Sequence, residues 1–282
     1  MTVAHVRVES LRCQVGSRRL LDVDQLVISG GATAVLGPNG AGKSTLLRTL
    51  ATVSNPRGAM WVDGQPVGDG ASLAAVRSRL GYVPQANGLP PRMRVHDYLD
   101  YLASLKEIGP ARLRNRWISY TLAQVDLVAA QRVRIKTLSG GEQRRLTIAQ
   151  ALLGSPELLI MDEPLTALDA QRRTKMVTSI VEWSTTATVV VATHHGDELA
   201  AVCDRVVVLS EGRVVFHDSP DVLARKAAGR TWETSTNEPG LHARAVGPGR
   251  FRCVGSSVPA EHEAVEPSLA DGYVALMSDL TQ

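Results

Sequence analysis

The segment Gly37-Pro38-Asn39-Gly40-Ala41-Gly42-Lys43-Ser44-Thr45 limits the folds open to this chain more than any other stretch. It fits the pattern GxxxxGK[ST]. It lies between an apolar run, Ala32 to Leu36, that reads as a buried strand, and a helix expected from about Lys43 to Val53. Glycine at 40 and 42 lets the backbone curl without a Cβ clash. Successive N–H groups can then converge on phosphate oxygens at a helix N-terminus, where the helix dipole favours an anion. Lys43 is placed to reach the β- and γ-phosphates, and the Ser44 hydroxyl to ligate Mg²⁺. Alone, the motif says only that a nucleoside triphosphate is bound.

A second site of chemistry follows at Leu158-Leu159-Ile160-Met161-Asp162-Glu163-Pro164, an apolar strand that ends in two acids. Neighbouring residues of a strand point to opposite faces, so two adjacent carboxylates can serve two roles. Asp162 is expected to hold the water shell of a metal ion, and Glu163 to take a proton from the attacking water.

The stretch Leu138-Ser139-Gly140-Gly141-Glu142-Gln143 narrows the class. It resembles the signature LSGGQ of the ATP-binding cassette (ABC) ATPases, with Glu142 in place of the usual glutamine. The resemblance implies that Ser139, Gly140 and Gly141 head a helix and bind the γ-phosphate of ATP held by another copy. The family's other landmarks occur in order. Gln85, in Tyr82-Val83-Pro84-Gln85, resembles the glutamine that contacts Mg²⁺ and bends when the membrane partner moves. Ala167-Leu168-Asp169 resembles the D-loop, His194 after Thr193 the switch histidine that contacts the γ-phosphate, and Cys203-Asp204-Arg205-Val206 the stretch that follows it. The likeness spans roughly residues 5–225. It departs from the family at Val15, before Gly16, where an aromatic ring usually stacks on adenine. Losing the stack is worth about 1 kcal/mol, so weak discrimination between ATP and GTP is expected.

Composition and patterning fit such a chain. Of 282 residues, 44% are apolar and 21% charged, enough to build a core, and nothing indicates disorder. The net charge of +3 is spread along the sequence with no dense basic block, so no nucleic-acid partner is expected. Cys13, Cys203 and Cys253 are too far apart for a disulfide framework or a zinc site, which suggests a reducing compartment. No signal peptide is read at the start, and no apolar run approaches the roughly 18 residues of a membrane span. Leucines and tyrosines at helical spacing (Tyr98, Leu99, Leu102, Leu105) mark a helical insert, whereas Leu158 to Met161 and Val189 to Ala192 read as buried parallel strands. Hairpins are expected around Asp63-Gly64 and around Ser210 to Arg213.

The expected fold is α/β: a P-loop NTPase of the ABC type with a mostly parallel core sheet, an N-terminal antiparallel β subdomain, a helical insert and a small C-terminal α+β appendage. The boundaries read are 1–225 for the nucleotide-binding domain, with the insert at about 85–150, and 226–282 for an accessory segment. The tail has weak strands near Thr231 to Glu233 and Phe251 to Val254 and a helix from Ser268 to Met277. The resemblance implies ATP and Mg²⁺ as ligands, a second copy of the chain, and a separate transmembrane permease holding it at the inner face of the cell membrane. The segments 89–102 and 265–273 resemble exporter-type ATPases of the drug, antibiotic and lipid class; Pro164-Leu165 points instead to some importers. A soluble ABC ATPase acting on ribosomes or nucleic acid is the rival of another class.

Overall fold

A computed structural model describes residues 5–16, 18–54, 57–86, 88–166, 168–193, 199–235 and 242–281. Two compact units divide the chain: one comprises residues 1–194 and 207–215, the other residues 195–206 and 216–282.

In the first unit, β1 (Val6–Val15) pairs antiparallel with β2 (Arg18–Ile28) and with β4 (Arg57–Val62), and β5 (Gln65–Pro66) closes a sheet of order β2-β1-β4-β5. Asp63 and Gly64, at φ 53° and 75°, form the two-residue turn between β4 and β5. A six-stranded sheet has the order β10-β9-β3-β8-β7-β6. Its members are β3 (Ala32–Leu36), β6 (Leu80–Val83), β7 (Leu158–Asp162), β8 (Thr188–Ala192), β9 (Arg205–Ser210) and β10 (Arg213–Asp218). The pairs β3–β8, β8–β7 and β7–β6 are parallel. Every residue of β3, β7 and β8 is buried, which is why these strands read as unbroken apolar runs.

Parallel register decides where the chemistry collects. Val35 lies beside Ala192, Asp162 beside Ala192 and Val83 beside Met161. The carboxyl ends of β3, β6, β7 and β8 therefore finish at one level, where open α/β sheets bind ligands. Helix α1 (Lys43–Leu50) follows β3 and buries Leu46, Leu47 and Leu50. It ends three residues before the expected Val53. Thr52 adopts φ 56°, and the N–H groups of Val53 and Ser54 turn back to Arg48 O at 2.8 and 3.2 Å, leaving Val53 exposed.

Helix α2 (Gly70–Ser78), which the sequence pattern did not reveal, precedes β6. The helical insert is α3 (Val95–Leu105), α4 (Ala111–Gln124) and α5 (Gly140–Leu152). Of the apolar repeat on α3, only Leu99 is buried; Tyr98 and Leu102 are half-buried and Leu105 is 63% exposed. The stripe instead lines an open groove of about 670 Å³, bounded by Leu73, Tyr82, Tyr98, Leu102, Leu105 and Lys106. Lys106 anchors the insert: its ammonium donates to Leu80 O at 3.0 Å and Leu153 O at 3.1 Å. α6 (Ala170–Ser184) lies between β7 and β8.

The second unit contains an antiparallel sheet of order β11-β13-β12, from β11 (Thr231–Thr234), β12 (His242–Gly247) and β13 (Arg250–Val254). Trp232 is 1% exposed and stacks on His262. The C-terminal helix, Leu269–Asp279, starts with a capping box in which Asp271 accepts from the Ser268 N–H and hydroxyl. Arg230 clamps Asp279 with bonds of 2.9 and 3.0 Å, and Arg252 reaches Asp271 at 2.8 Å. Among the described residues, no helix is long and apolar enough to cross a membrane.

Burial pushes the Lys106 pKa down to about 8. Between that value and the ordinary lysine range, the unfolded chain holds a proton that the folded chain has released. Stability therefore rises with pH in that window. Against Lys106→Met, the unaltered protein should gain in melting temperature as the pH goes from about 7.5 to about 9.5. Parallel pH dependence of the two proteins in thermal unfolding would contradict this.

Candidate nucleotide site

The loop from Gly37 to Gly42 is shaped by contacts that only glycine permits. Gly42 has φ 103°, and a Cβ there would lie 2.6 Å from Leu20 O; a Cβ on Gly37, at φ 149°, would lie 2.3 Å from Leu209 O. Between them Pro38, Asn39 and Gly40 are exposed, whereas Ala41 is buried. Gly42 caps α1 and provides no side chain to its first turn, so the N–H groups there keep their capacity for an anion. Ser44 and Thr45 stand on that turn, both half-buried.

Lys43 is 7% exposed and folds back over the loop, donating to Gly37 O at 2.6 Å and Pro38 O at 3.1 Å. Burial pushes its pKa below the ordinary lysine value, against the opposing pull of the Glu163 and Asp162 carboxylates. The two sequence motifs meet in space because α1, which carries Lys43, packs against β7, which ends in Asp162.

Asp162 and Glu163, at the end of β7, are 2% and 4% exposed. Glu163 adopts φ 55°, a left-handed conformation that costs a non-glycine residue about 1–3 kcal/mol. Its N–H donates to Ala192 O at 2.9 Å, which holds the turn in place. Such strain gathers at functional sites, because the surrounding sheet overdetermines the geometry. Thr193, after β8, is also buried, with its N–H on Val35 O. His194, and Ala167 of the D-loop stretch, lie outside the described residues. Gln85 is exposed, two residues past the end of β6.

The remaining expected residues lie on other elements. Ser139 caps α5 in a capping box: Glu142 accepts from the Ser139 N–H and hydroxyl, each at 2.8 Å, and the Glu142 N–H donates back to the Ser139 oxygen at 3.3 Å. These bonds hold the Glu142 carboxyl below its usual pKa. Gly140 and Gly141 form the first turn of the same helix. Asp169 caps α6, accepting from the Arg172 N–H at 2.9 Å and its guanidinium at 2.8 Å. Val15 is 65% exposed at the tip of β1. Among the described residues, no hydrogen bond or ion pair joins Ser139, Gly140, Gly141 or Asp169 to the loop 37–45.

One residue that the motif reading passed over ties these parts together. Arg144, 3% exposed on α5, donates to the backbone carbonyls of Pro84, Asp162 and Glu163, the last at 2.8 Å, and lies 3.5 Å from Gln85 O. The only signal in the sequence is its position, two residues after Glu142 on a helix that also buries Arg145 and Thr147 among apolar residues.

The family described as ABC transporter matches residues 20–166. The chain belongs to the ABC transporter family. A daunorubicin resistance ATP-binding protein, DrrA3 of Streptomyces coeruleorubidus, is 34% identical over 246 residues, covering 86% of this chain and 76% of that one. The Nod factor export ATP-binding protein I of Paraburkholderia xenovorans is 32% identical, covering 81% and 75%. An Fe(3+) ions import ATP-binding protein, FbpC 2 of Pectobacterium atrosepticum, is 31% identical, covering 93% and 75%. Among solved structures, the dimeric ATP-binding cassette MJ0796 in a post-hydrolysis state with ADP and phosphate aligns with a TM-score of 0.70 at 26% identity, over 76% of this chain and 98% of that one. The chain is thus an ABC cassette of the ATP-binding, ATP-hydrolysing kind, with the mixed α/β architecture expected of it.

Replacing Arg144 with Met would leave the carbonyls of Asp162 and Glu163 without their donor and two buried carboxylates without the nearby cation. Urea unfolding of Arg144→Met should show a loss of about 2–5 kcal/mol, with Arg144→Lys recovering only part of it, because an ammonium cannot span the same acceptors. A variant within about 0.5 kcal/mol of the parent would show that the arginine is not a tie.

Proposed function

We propose that this ABC cassette powers export through a separate membrane subunit, working as two copies that enclose ATP between the loop 37–45 of one and Ser139-Gly140-Gly141 of the other. The observation that carries the reading is Glu163, buried, strained and beside Asp162, in the field of Lys43. That is where a base must stand if water is to attack a phosphate held by the lysine. The resemblance to exporters in segments 89–102 and 265–273, together with the drug-resistance and Nod-factor export relatives, favours outward transport. Import is the second reading, for which Pro164-Leu165 and the iron-import relative speak.

In this reading the phosphates take the place of Gly37 O and Pro38 O as partners of the Lys43 ammonium. The N–H groups from Gly40 to Thr45 donate to the same oxygens. The Ser44 hydroxyl, the Gln85 amide oxygen and the Asp162 carboxylate form a hard oxygen donor set, suited to Mg²⁺. Bound there, the ion would offset charge on the phosphate oxygens. Glu163 orients a water and accepts its proton as the water oxygen bonds to the γ-phosphorus and ADP leaves. His194 is assigned a contact with the γ-phosphate, and Asp169 a place at the junction of the two copies. Ser139 must turn its hydroxyl from Glu142 to the phosphate when the copies close, so the capping box is the resting state of the signature. The groove beside α3 is proposed to seat a cytosolic segment of the membrane subunit, which would hold the chain at the inner face of the membrane. Residues 1–225 would then be the working cassette and 226–282 an accessory segment.

Glu163→Gln should bind ATP with near-parental affinity, accumulate as a dimer on size exclusion with nucleotide, and turn over about 10²–10⁴-fold more slowly. Ordinary turnover in that variant would remove Glu163 from the role of base. With Val15 exposed and offering no ring, GTP should compete with ATP within about tenfold, a difference of about 1.4 kcal/mol at most. A competition assay showing an ATP preference of about a hundredfold or more would refute it.

A further inference from the structure

The helical insert carries a second organised surface that the nucleotide chemistry does not use. Residues 91–96 run antiparallel beside residues 131–136. Val95 N–H bonds Val133 O at 3.1 Å, His96 N–H bonds Gln131 O at 2.8 Å, Ile135 N–H bonds Met93 O at 2.9 Å and Lys136 N–H bonds Pro91 O at 3.0 Å. Arg94 and Arg134 stand directly opposite each other. The pairing is a single bridge, flanked by the start of α3 at Val95 and by a tight helical turn at Ile135–Thr137. Val95 and Ile135 are buried and Met93 is half-buried, whereas Arg92, Arg94, Arg132, Arg134 and Lys136 are all exposed.

These five cations have no acidic partner among the described residues, and no Asp or Glu occurs in 84–96 or 127–141. The acids that flank these segments in sequence have other contacts: Asp100 pairs with Arg114 at 2.7 Å, Asp126 with Lys175 at 3.3 Å, Glu142 accepts from Ser139, and Asp97 lies 3.8 Å from the His96 ring. The surface continues onto α4 through a bond of 2.9 Å between His96 and Asn115. Beside Asn115 the exposed face of α4 presents Arg112 and Arg116, with Leu113 and Tyr120 on the same side, over a shallow open concavity. Like charges set opposite one another weaken a ladder. Five exposed cations on two adjoining segments exceed the net charge of the whole chain, +3.

We propose that this basic face of the helical insert docks directly on a membrane surface rich in anionic phospholipid, its guanidinium groups engaging headgroup phosphates. Six of the seven cations are arginines, whose planar forks match phosphate oxygens. The face is broad and open, suited to a plane of charges. An exposed tyrosine and leucine beside cations is the mixture that sits at the headgroup boundary. In sequence the two segments lie between Gln85 and Ser139, so the strip is joined by short stretches of chain to two of the nucleotide elements. The proposal rests on the chain working at a membrane face, but not on the roles assigned to Lys43 or Glu163.

The test is flotation of the full-length chain with vesicles of phosphatidylcholine alone and of phosphatidylcholine with about one third phosphatidylglycerol, at low and raised salt, with ATP hydrolysis measured in parallel. The chain should bind the anionic vesicles and not the neutral ones, and raised salt should release it. Each cation removed should weaken binding by about fivefold, so Arg92→Ser/Arg94→Ser/Arg132→Ser/Arg134→Ser should lose at least about a hundredfold. If that variant fails to melt cooperatively, Arg112→Ser/Arg116→Ser carries the test, with a loss of at least about fivefold. Equal binding to both kinds of vesicle, undiminished binding by the folded variant, or tighter binding to a polyglutamate peptide or a mixed-sequence oligonucleotide would overturn the proposal. Failure to bind lipid while the chain still hydrolyses ATP and is recovered with a membrane subunit would sink this inference and leave the proposed function standing.

Discussion

Arg144 is a cation placed inside the protein, and much of the site hangs from it. Taking a guanidinium out of water is unfavourable by several kcal/mol unless its hydrogens find partners; here both Nη groups find backbone carbonyls from two separate segments, while the Nε–H is buried without a partner. Burial lowers its pKa, while the carboxylates of Asp162 and Glu163 pull the other way and keep it charged. The consequence is mechanical. α5 begins at the signature serine, so the signature, the Gln85 loop and the acidic end of β7 are joined through one side chain within a single copy. Any displacement of α5 is felt at the three carbonyls that Arg144 holds.

Strain and charge complete this arrangement. Glu163 is kept in a left-handed conformation by the β7–β8 pairing beneath it and by its bond to Ala192. Lys43 is buried near two carboxylates and rests on loop carbonyls, so a triphosphate would meet a lysine already oriented by the fold. The parallel register brings these groups to one end of the sheet. A shift of one residue along β7 would send Asp162 and Glu163 to the opposite faces.

The insert departs from the usual fate of an amphipathic helix. α3 leaves much of its apolar stripe open along a groove, and Lys106, bonded to the start of β6 and the end of α5, holds that groove beside the core sheet. The same insert also exposes Arg92, Arg94, Arg132, Arg134 and Lys136 around buried Val95 and Ile135. Short backbone segments join both surfaces to Gln85 and Ser139 in the sequence.

Much of this was open to inspection in the sequence. The phosphate loop, the acidic strand end, the signature and the Gln85 stretch are local patterns, because a loop that wraps a phosphate needs contiguous N–H groups and a parallel strand buried on both faces needs an unbroken apolar run. The buried strands and the hairpin at Asp63-Gly64 follow from the same local rules. α2 escaped notice because its short, small-residue segment, Gly70–Ser78, buries only Val76 and carries little periodic signal. α1 was read too long because Val53 extends its apolar pattern past the turn that Thr52 makes. Chain pairing alone decided the rest. That Arg144 would serve three carbonyls depended on β6 and β7 ending side by side, and the left-handed turn of Glu163 depended on the neighbouring strand. Charges that are dispersed along the sequence, at 92, 94, 132, 134 and 136, become one surface only when two distant segments align. Covalent order encodes what a few adjacent residues can do with their own backbone; folding alone sets the distance between groups that the chain keeps apart.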